Sequence, residues 1–251
     1  MPYFVFAGKR VHFLDEGIGK PLLILPGNTS ASGNFGSHLN RLSHSHRVLV
    51  LDYPGTGLSE RLEHWPDDWW TNNCQCASAL LDSLCLSRVV IVGTSSGSAV
   101  ALSLAHLNPD RVSAIVADSY SPSLSSRYLR NLLAFRATPS EALVAFWRQA
   151  HGPDWEEVVA QDSDLLKRIS LDNTMWPRPG LEEITCPVLL TGSRHDVMYP
   201  KLESYLLEQC REHDNRHVII KPIGGHTLMN TCPDVFCDIV ESFLLEVEEQ
   251  P

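Results

Sequence analysis

Residues 88–97 read Arg-Val-Val-Ile-Val-Gly-Thr-Ser-Ser-Gly, so a short apolar run leads directly into the pattern Gly-x-Ser-x-Gly centred on Ser95. The run is typical of a buried strand, and the helical pattern that starts near Ser96 stops at Asn108-Pro109, where proline forbids continuation. A serine on such a strand-to-helix turn projects its hydroxyl above the sheet, and only small residues fit two positions to either side. With 15 glycines in the chain, chance gives about 0.09 matches to this pattern per sequence. We therefore predict a nucleophile elbow at Ser95, in preference to a serine in an ordinary glycine turn.

Short apolar runs alternate with helical patterns along most of the chain. Besides residues 88–92, we predict strands over residues 3–6, 10–14, 21–26, 47–52, 111–117, 187–191 and 217–220. Runs that are apolar throughout are expected for strands covered on both faces. The sequence therefore predicts the α/β class, with a mostly parallel sheet of about eight strands flanked by helices.

The alternation lapses between residues 119 and 183, where helical signals continue without a convincing buried strand. Within this stretch, Thr138-Pro139-Ser140-Glu141 supplies an N-cap, a proline at the first helical position and a capping-box glutamate. We therefore predict a helical cap, residues 119–183, inserted into a core that is formed by residues 1–118 and 184–251.

A serine hydroxyl is a weak nucleophile at neutral pH, so the predicted elbow needs a base and an acid that orients the base. His226 is the candidate base because it lies in a glycine-containing loop between the last predicted strand and the final helix. Asp196 and Asp118 each follow a predicted strand, where a carboxylate can reach the distal imidazole nitrogen. We favour Asp196, because the order Ser95, Asp196, His226 is the one expected of this kind of sheet, and keep Asp118 as the alternative acid.

Two further segments resemble motifs of the α/β-hydrolase superfamily. Residues 52–59, Asp-Tyr-Pro-Gly-Thr-Gly-Leu-Ser, are similar to the family's Asp-x-x-Gly-x-Gly-x-Ser segment, and residues 108–112 resemble the turn after its elbow helix. With the elbow, they identify the chain as a member of that superfamily over nearly its whole length. The resemblance implies that residues 119–183 take the place of the family's cap. Within the superfamily the chain looks most similar to small esterases and lactonases, including enol-lactonases and the biphenyl-hydrolase-like branch.

The segment after the third predicted strand departs from the family pattern. The family usually has His-Gly there, whereas this chain has Pro26-Gly27-Asn28-Thr29. An oxyanion hole uses backbone N–H donors, so loss of the histidine side chain need not impair it. The expected donors are the N–H of Asn28, or that of Thr29 if the loop is offset by one residue, together with the N–H of Ser96.

Serine rather than aspartate at position 95 excludes a close functional match to the family's epoxide hydrolases and haloalkane dehalogenases, which form an ester on a carboxylate. Acyl transfer is the chemistry that a serine supports. We therefore predict a serine hydrolase of a small ester, lactone or thioester that needs no cofactor and no metal. Carbon–carbon bond hydrolases, amidases, haloperoxidases and lyases share the same triad, and a ligand-binding, receptor-like protein with little turnover is the rival from another class.

Three large apolar residues of the predicted cap are candidate walls of the substrate pocket. They are Trp147, Met175 and Trp176. Packing inside the cap is the alternative role for all three, because apolar residues are more often core than ligand contacts.

The composition limits the partners and the compartment. Lys and Arg number 20 and Asp and Glu 30, which gives a net charge of −10 and argues against binding to nucleic acid or an anionic membrane surface. The segment from Val89 to Leu107 contains no Asp, Glu, Lys or Arg, but its glycine turn divides it, so no membrane span is predicted. Seven cysteines without a Cys-x-x-Cys pair are typical of a reducing compartment. We expect a cytoplasmic protein with a small-molecule substrate, and leave open a homodimer.

Overall fold

The computed structural model describes residues 2–120, 126–171, 180–211 and 213–249. In these ranges the strands are β1 (Tyr3–Phe6), β2 (Lys9–Glu16), β3 (Lys20–Leu25), β4 (His46–Leu51), β5 (Val89–Thr94), β6 (Val112–Asp118), β7 (Val188–Ser193) and β8 (Arg216–Lys221). They form one sheet of eight strands in the order β1-β2-β4-β3-β5-β6-β7-β8. The pairs β1–β2 and β2–β4 are antiparallel, and the pairs from β4–β3 to β7–β8 are parallel. The predicted α/β class and mostly parallel sheet are confirmed.

Helices cover both faces of this sheet. They are α1 (Gly36–Leu42), α2 (Trp69–Ser83), α3 (Ser96–Leu107), α4 (Ser126–Ala137), α5 (Glu141–His151), α6 (Trp155–Leu171), α7 (Leu202–Cys210), α8 (Leu228–Thr231) and α9 (Pro233–Glu249). Leu23 and Leu25 of β3 share one apolar cluster with α2, α3 and α7, whereas Leu22 and Ile24 share another with α1 and α9. Because neighbouring strand residues point to opposite faces, a strand covered on both sides is apolar throughout.

Helices α4, α5 and α6, called the cap helices below, lie in chain order between β6 and β7, inside the predicted insertion 119–183. The side-chain amide of Gln149 donates to the carbonyl of Gly33 (2.8 Å), and that of Gln161 donates to the carbonyl of Glu63 (2.9 Å). These contacts seat the cap helices on the loops that follow β3 and β4, at the carboxyl edge of the sheet.

The start of α5 differs from the prediction by two residues. The helix begins at Glu141, and the Ser140 hydroxyl oxygen accepts a hydrogen bond from the N–H of Leu143 (3.3 Å). Ser140 is therefore the N-cap, because it is extended and its oxygen reaches the third N–H of the helix, a role predicted for Thr138.

In the described part of the chain, no helix is both long enough and apolar enough to cross a membrane. The segment from Val89 to Leu107 is divided between β5 and α3 by its glycine turn. All seven cysteines are free thiols, and burial raises the pKa of Cys74 to about 12.

Candidate active site

Ser95 lies at the turn between β5 and α3 with φ +51° and ψ −117°, a backbone conformation that L residues rarely adopt. Its N–H donates to the carbonyl of Asp118 (2.8 Å). A Cβ at Gly93 would stand 2.6 Å from the carbonyl oxygen of Gly97, and a Cβ at Gly97 would stand 2.6 Å from that of Pro26. Contacts this short are sterically forbidden, so the two glycines of the sequence pattern are required by the close approach of strand, turn and helix.

The side chains of Ser95, His226 and Asp196, far apart in the sequence, form one hydrogen-bonded chain. Ser95 Oγ lies 2.9 Å from His226 Nε2, and Asp196 Oδ2 lies 2.9 Å from His226 Nδ1. An ionised carboxylate only accepts hydrogen bonds, so Nδ1 bears the proton and Nε2 is left to accept the serine proton. The Asp196 side chain is fully buried, whereas 19% of the His226 side chain is exposed. The arrangement can therefore activate a serine at a place that solvent reaches from the histidine side.

Backbone donors in the loop after β7 fix the Asp196 carboxylate. Its Oδ1 accepts hydrogen bonds from the N–H of Met198 (2.9 Å) and of Tyr199 (3.2 Å). Oδ2 is thereby directed at His226. The backbone donors therefore fix the orientation of the candidate acid independently of His226. An acid that holds one imidazole tautomer must itself be held in one orientation.

Asp118, the alternative acid, is also buried but is engaged elsewhere. Its Oδ1 accepts from the Thr191 hydroxyl (2.9 Å), and its Oδ2 accepts from the N–H of Met229 (2.8 Å). Burial raises the pKa of this carboxyl to about 6, and the two hydrogen bonds partly offset the rise. Asp118 thus connects the ends of β6 and β7 with α8, which begins two residues after His226. Both carboxylate oxygens of Asp118 are occupied by these contacts.

The loop after β3 places the candidate oxyanion donors beside Ser95. The N–H of Gly27 donates to the Thr94 hydroxyl (3.1 Å), and Thr29 adopts φ +58°. Within the described residues, the N–H groups of Asn28, Thr29 and Ser96 form no hydrogen bond with a backbone carbonyl. The Ser96 N–H is also in the first turn of α3, where N–H groups lack helical partners and the helix dipole favours negative charge.

Aromatic residues connect a cap helix with the histidine, and the sequence analysis did not find them. The ring of Tyr199 lies 5.6 Å from the ring of His226, and the ring of Tyr128 on α4 is stacked on Tyr199 at 4.8 Å. Both tyrosines are partly buried. Tyr199 could have been suspected because it lies three residues after Asp196, whereas nothing in the sequence brings α4 to this place.

A buried ion pair in the cap helices lies close to the loop after β3. Arg136 of α4 and Asp162 of α6 are 2.5 Å apart, and their side chains are 6% and 0% exposed. Burial raises the pKa of Asp162, while Arg136 and the side chain of Asn28 act in the opposite direction. Asn28 therefore faces a charged pair that no sequence motif marks.

The remaining candidates lie away from the triad or outside the described residues. Trp147 is buried and stacks on Trp155 at 5.3 Å, beside an open cavity of about 510 Å³ that is lined by residues of the cap helices. This places Trp147 in the packing of the cap helices. Met175 and Trp176 lie outside the described residues. Within the described ranges, no group of three His, Cys, Asp or Glu side chains is arranged to hold a metal ion.

The strand order and the position of the site at the carboxyl edge are those of an α/β hydrolase. Residues 22–239 match the alpha/beta hydrolase family, and the chain belongs to that family of enzymes. The resemblance predicted from the elbow and the two neighbouring motifs is confirmed.

Several relatives of this chain have names that state a reaction. It is 28% identical over 266 residues to the 2-hydroxymuconate semialdehyde hydrolase of Pseudomonas putida, covering 96% of this chain and 93% of the relative. It is 29% identical over 246 residues to RutD of Pseudomonas syringae, for which carbamate hydrolysis is proposed, with 89% and 93% covered. The 2-hydroxy-6-oxo-6-phenylhexa-2,4-dienoate hydrolase of Rhodococcus sp. strain RHA1 superposes with a TM-score of 0.78 at 18% identity over 96% of each chain. The predicted biphenyl-hydrolase-like branch is in agreement with these relatives.

Proposed function

We propose that this protein is a serine hydrolase that cleaves a small carboxylic ester, lactone or thioester through an acyl-enzyme intermediate. The observation that supports this proposal most directly is the chain Ser95–His226–Asp196, with both hydrogen bonds at 2.9 Å. A serine in this setting has a base within reach of its proton and an acid that fixes the base. The N–H groups of the loop after β3 and of Ser96 supply the place for the developing negative charge.

The reaction begins when Ser95 Oγ attacks the substrate carbonyl carbon and its proton passes to His226 Nε2. The imidazolium is stabilised by Asp196 through Nδ1, and the carbonyl oxygen, now an oxyanion, accepts hydrogen bonds from the backbone donors. Collapse of the tetrahedral intermediate breaks the bond to the leaving group, which takes the proton from His226. Water then attacks the acyl-enzyme, with His226 first removing a proton from the water and afterwards returning one to Ser95.

A second candidate is hydrolysis of a carbon–carbon bond in an oxo-dienoate. It is favoured by two relatives whose names state such substrates, the 2-hydroxymuconate semialdehyde hydrolase and the phenylhexadienoate hydrolase. The same serine and histidine are available for this reaction. A panel of short p-nitrophenyl esters, lactones and a 2-hydroxy-6-oxo-dienoate distinguishes the two candidates by the ratio of their kcat/KM values.

The proposed function is tested by labelling with a fluorophosphonate probe and by turnover of p-nitrophenyl acetate. We expect Ser95→Ala to abolish labelling and to lower kcat by at least about 10⁴-fold. The matched control is Ser98→Ala, which removes a buried hydroxyl three residues further along the chain and should label like the wild type. Product formation that continues after the first acylation burst is expected of an enzyme, and a single burst is expected of a receptor-like protein. Labelling of the Ser95→Ala variant contradicts the proposal.

A further inference from the structure

His151 is the last residue of α5, and it is buried between the loops that follow β3 and β4, with 2% of its surface exposed. The backbone N–H of Gly57 lies 3.0 Å from His151 Nδ1, and the carbonyl oxygen of Thr29 lies 3.1 Å from His151 Nε2. A backbone N–H can only donate, so Nδ1 is unprotonated and accepts; a carbonyl oxygen can only accept, so Nε2 carries the hydrogen and donates. The neutral imidazole therefore uses both nitrogens, one toward each loop.

The surroundings keep this imidazole neutral. Burial lowers the pKa of His151 to about 4 and outweighs the hydrogen bond to Thr29, which raises it; nearby Arg61 lowers the pKa further, while Asp52 and Asp154 raise it. Arg61 also donates to the carbonyl of His151 (2.8 Å) and forms a two-point ion pair with Asp154 (2.7 and 2.9 Å). The end of α5 is thus held to the loop after β4 at the same place.

The contact with Thr29 acts on the loop that carries the candidate oxyanion donors. Thr29 is a β-branched residue at φ +58°, a strained conformation that persists only where neighbours enforce it. The N–H of Ser30 donates to the carbonyl of Gly27 (3.1 Å), and the carbonyl of Thr29 accepts from His151, so both polar groups of the Thr29–Ser30 peptide are held. This loop is adjacent to the serine, since a Cβ at Gly27 would stand 3.1 Å from the Cβ of Ser95.

We propose that His151 is a positioning residue of the oxyanion hole. Its Nε2–H donates to the carbonyl of Thr29 and holds this turn from the side of the cap helices. Packing of α5 against the loop after β3 thereby aligns the N–H donors of that loop with the oxyanion. The inference rests on the proposed function, because it concerns the alignment of donors for an anionic tetrahedral intermediate. It predicts that loss of the Thr29 contact weakens stabilisation of the intermediate more than binding of the ground-state substrate.

Two substitutions separate the two hydrogen bonds of the imidazole. In His151→Asn the side-chain oxygen stands near the position of Nδ1 and can accept from Gly57, but no donor reaches Thr29. In His151→Gln the amide nitrogen stands near the position of Nε2 and can donate to Thr29. The control is Gln149→Ala, on the same helix, which removes a contact to Gly33 and leaves the Thr29 turn untouched.

The readouts are the inhibition constant of an aryl trifluoromethyl ketone and the kcat and KM of p-nitrophenyl acetate, with the melting temperature of each variant as a check of folding. The serine adds to the ketone carbonyl carbon and its proton passes to the histidine. The carbonyl oxygen thereby becomes an oxyanion that accepts hydrogen bonds from the same backbone N–H donors as the tetrahedral intermediate. We expect His151→Asn to weaken inhibition and to lower kcat by about 10-fold or more, with KM within about 3-fold of the wild type. His151→Gln should remain within about 3-fold in every parameter, and Gln149→Ala within about 2-fold.

The outcomes distinguish this inference from the function on which it rests. A folded His151→Asn variant with unchanged inhibition and kcat overturns the inference, because the donor to Thr29 is then irrelevant. A His151→Gln variant whose inhibition or kcat falls tenfold or more also overturns it, because the donor to Thr29 is then insufficient. If His151→Asn does not fold, the glutamine variant decides by the same criterion. Wild-type protein that neither binds the ketone at Ser95 nor reacts with a fluorophosphonate overturns the proposed function, and the inference falls with it.

Discussion

Replacing the buried Asp118 by asparagine removes a charge and keeps the size and the hydrogen-bonding reach of the side chain. The amide oxygen can accept from the N–H of Met229, and the amide nitrogen can donate to the hydroxyl of Thr191, which rotates to accept. Ionised Asp118 is a charge in a site without solvent, and burial raises its pKa from 3.8 to about 6. The substitution therefore measures what this charge costs the folded state.

The sign of the expected stability change follows from the difference in proton binding between the unfolded and the folded state. Well below pH 3.8 the carboxyl is protonated in both states and costs nothing; as pH rises through 3.8 towards about 6, the unfolded chain loses its proton first and folding is disfavoured. At about 1.4 kcal/mol for each pKa unit, the cost levels off at about 3 kcal/mol above pH 6. We expect Asp118→Asn to raise the free energy of unfolding by about 3 kcal/mol at pH 8 and by about half as much at pH 5.

The assay is urea denaturation of the two proteins at both pH values, with kcat measured alongside. Asp118→Ala is the control, since it removes the charge together with both acceptors and should destabilise by about 2 kcal/mol relative to Asp118→Asn at either pH. A stability gain that is no larger at pH 8 than at pH 5, or a loss at pH 8, refutes the reasoning, because the charge would then stabilise the fold. Loss of more than about 100-fold in kcat would assign the role of catalytic acid to Asp118 instead of Asp196.

Three further substitutions, the last paired with a control variant, test other parts of the structure. Asp196→Asn should lower kcat by about 10³–10⁴-fold in the ester assay, because the imidazole loses the partner that holds its tautomer; a kcat within 10-fold of the wild type contradicts this role. Arg61→Ala should lower the free energy of unfolding by about 2 kcal/mol in urea, since it removes the hydrogen bonds to the carbonyls of Gly57 and His151 together with the part-exposed ion pair with Asp154; a change below about 0.5 kcal/mol shows that these contacts do not hold the cap helices. Gly97→Ala should prevent accumulation of folded protein, measured by circular dichroism, whereas Ser98→Ala should cost only about 1 kcal/mol by losing one hydrogen bond to Gly93.

The strands were predictable because both faces of the sheet are covered. A strand buried on both sides is apolar throughout, so the predicted run 47–52 agrees with β4 (His46–Leu51) to one residue at each end. Helix α7 (Leu202–Cys210) was not predicted, although Leu202 and Leu206 are buried at helical spacing, because polar residues between them and the exposed Leu207 after them obscure the pattern.

The serine, the histidine and the acid were predictable from local motifs and from the convergence of strand ends. Gly-x-Ser-x-Gly is a local steric requirement, and side chains after neighbouring parallel strands meet at one edge of the sheet. Contacts between the cap helices and the core carry no such local signal. His151 is one of 11 histidines, and only the fold brings it to Thr29.

A second buried group of serine, histidine and aspartate shows why residue types alone do not define a site. His12 Nδ1 lies 2.8 Å from Asp52 Oδ2, and the Ser32 hydroxyl donates to the same oxygen (3.0 Å). Here the serine donates to the carboxylate and not to the imidazole, so no imidazole is placed to take its proton, and all three side chains are buried from any substrate. The group instead fixes the loop after β4, in which a Cβ at Gly57 would collide with the Asp52 carboxylate. The N–H of Gly57 in this loop donates to His151. The buried group of His12, Asp52 and Ser32 therefore also holds the loop that contacts the proposed positioning residue.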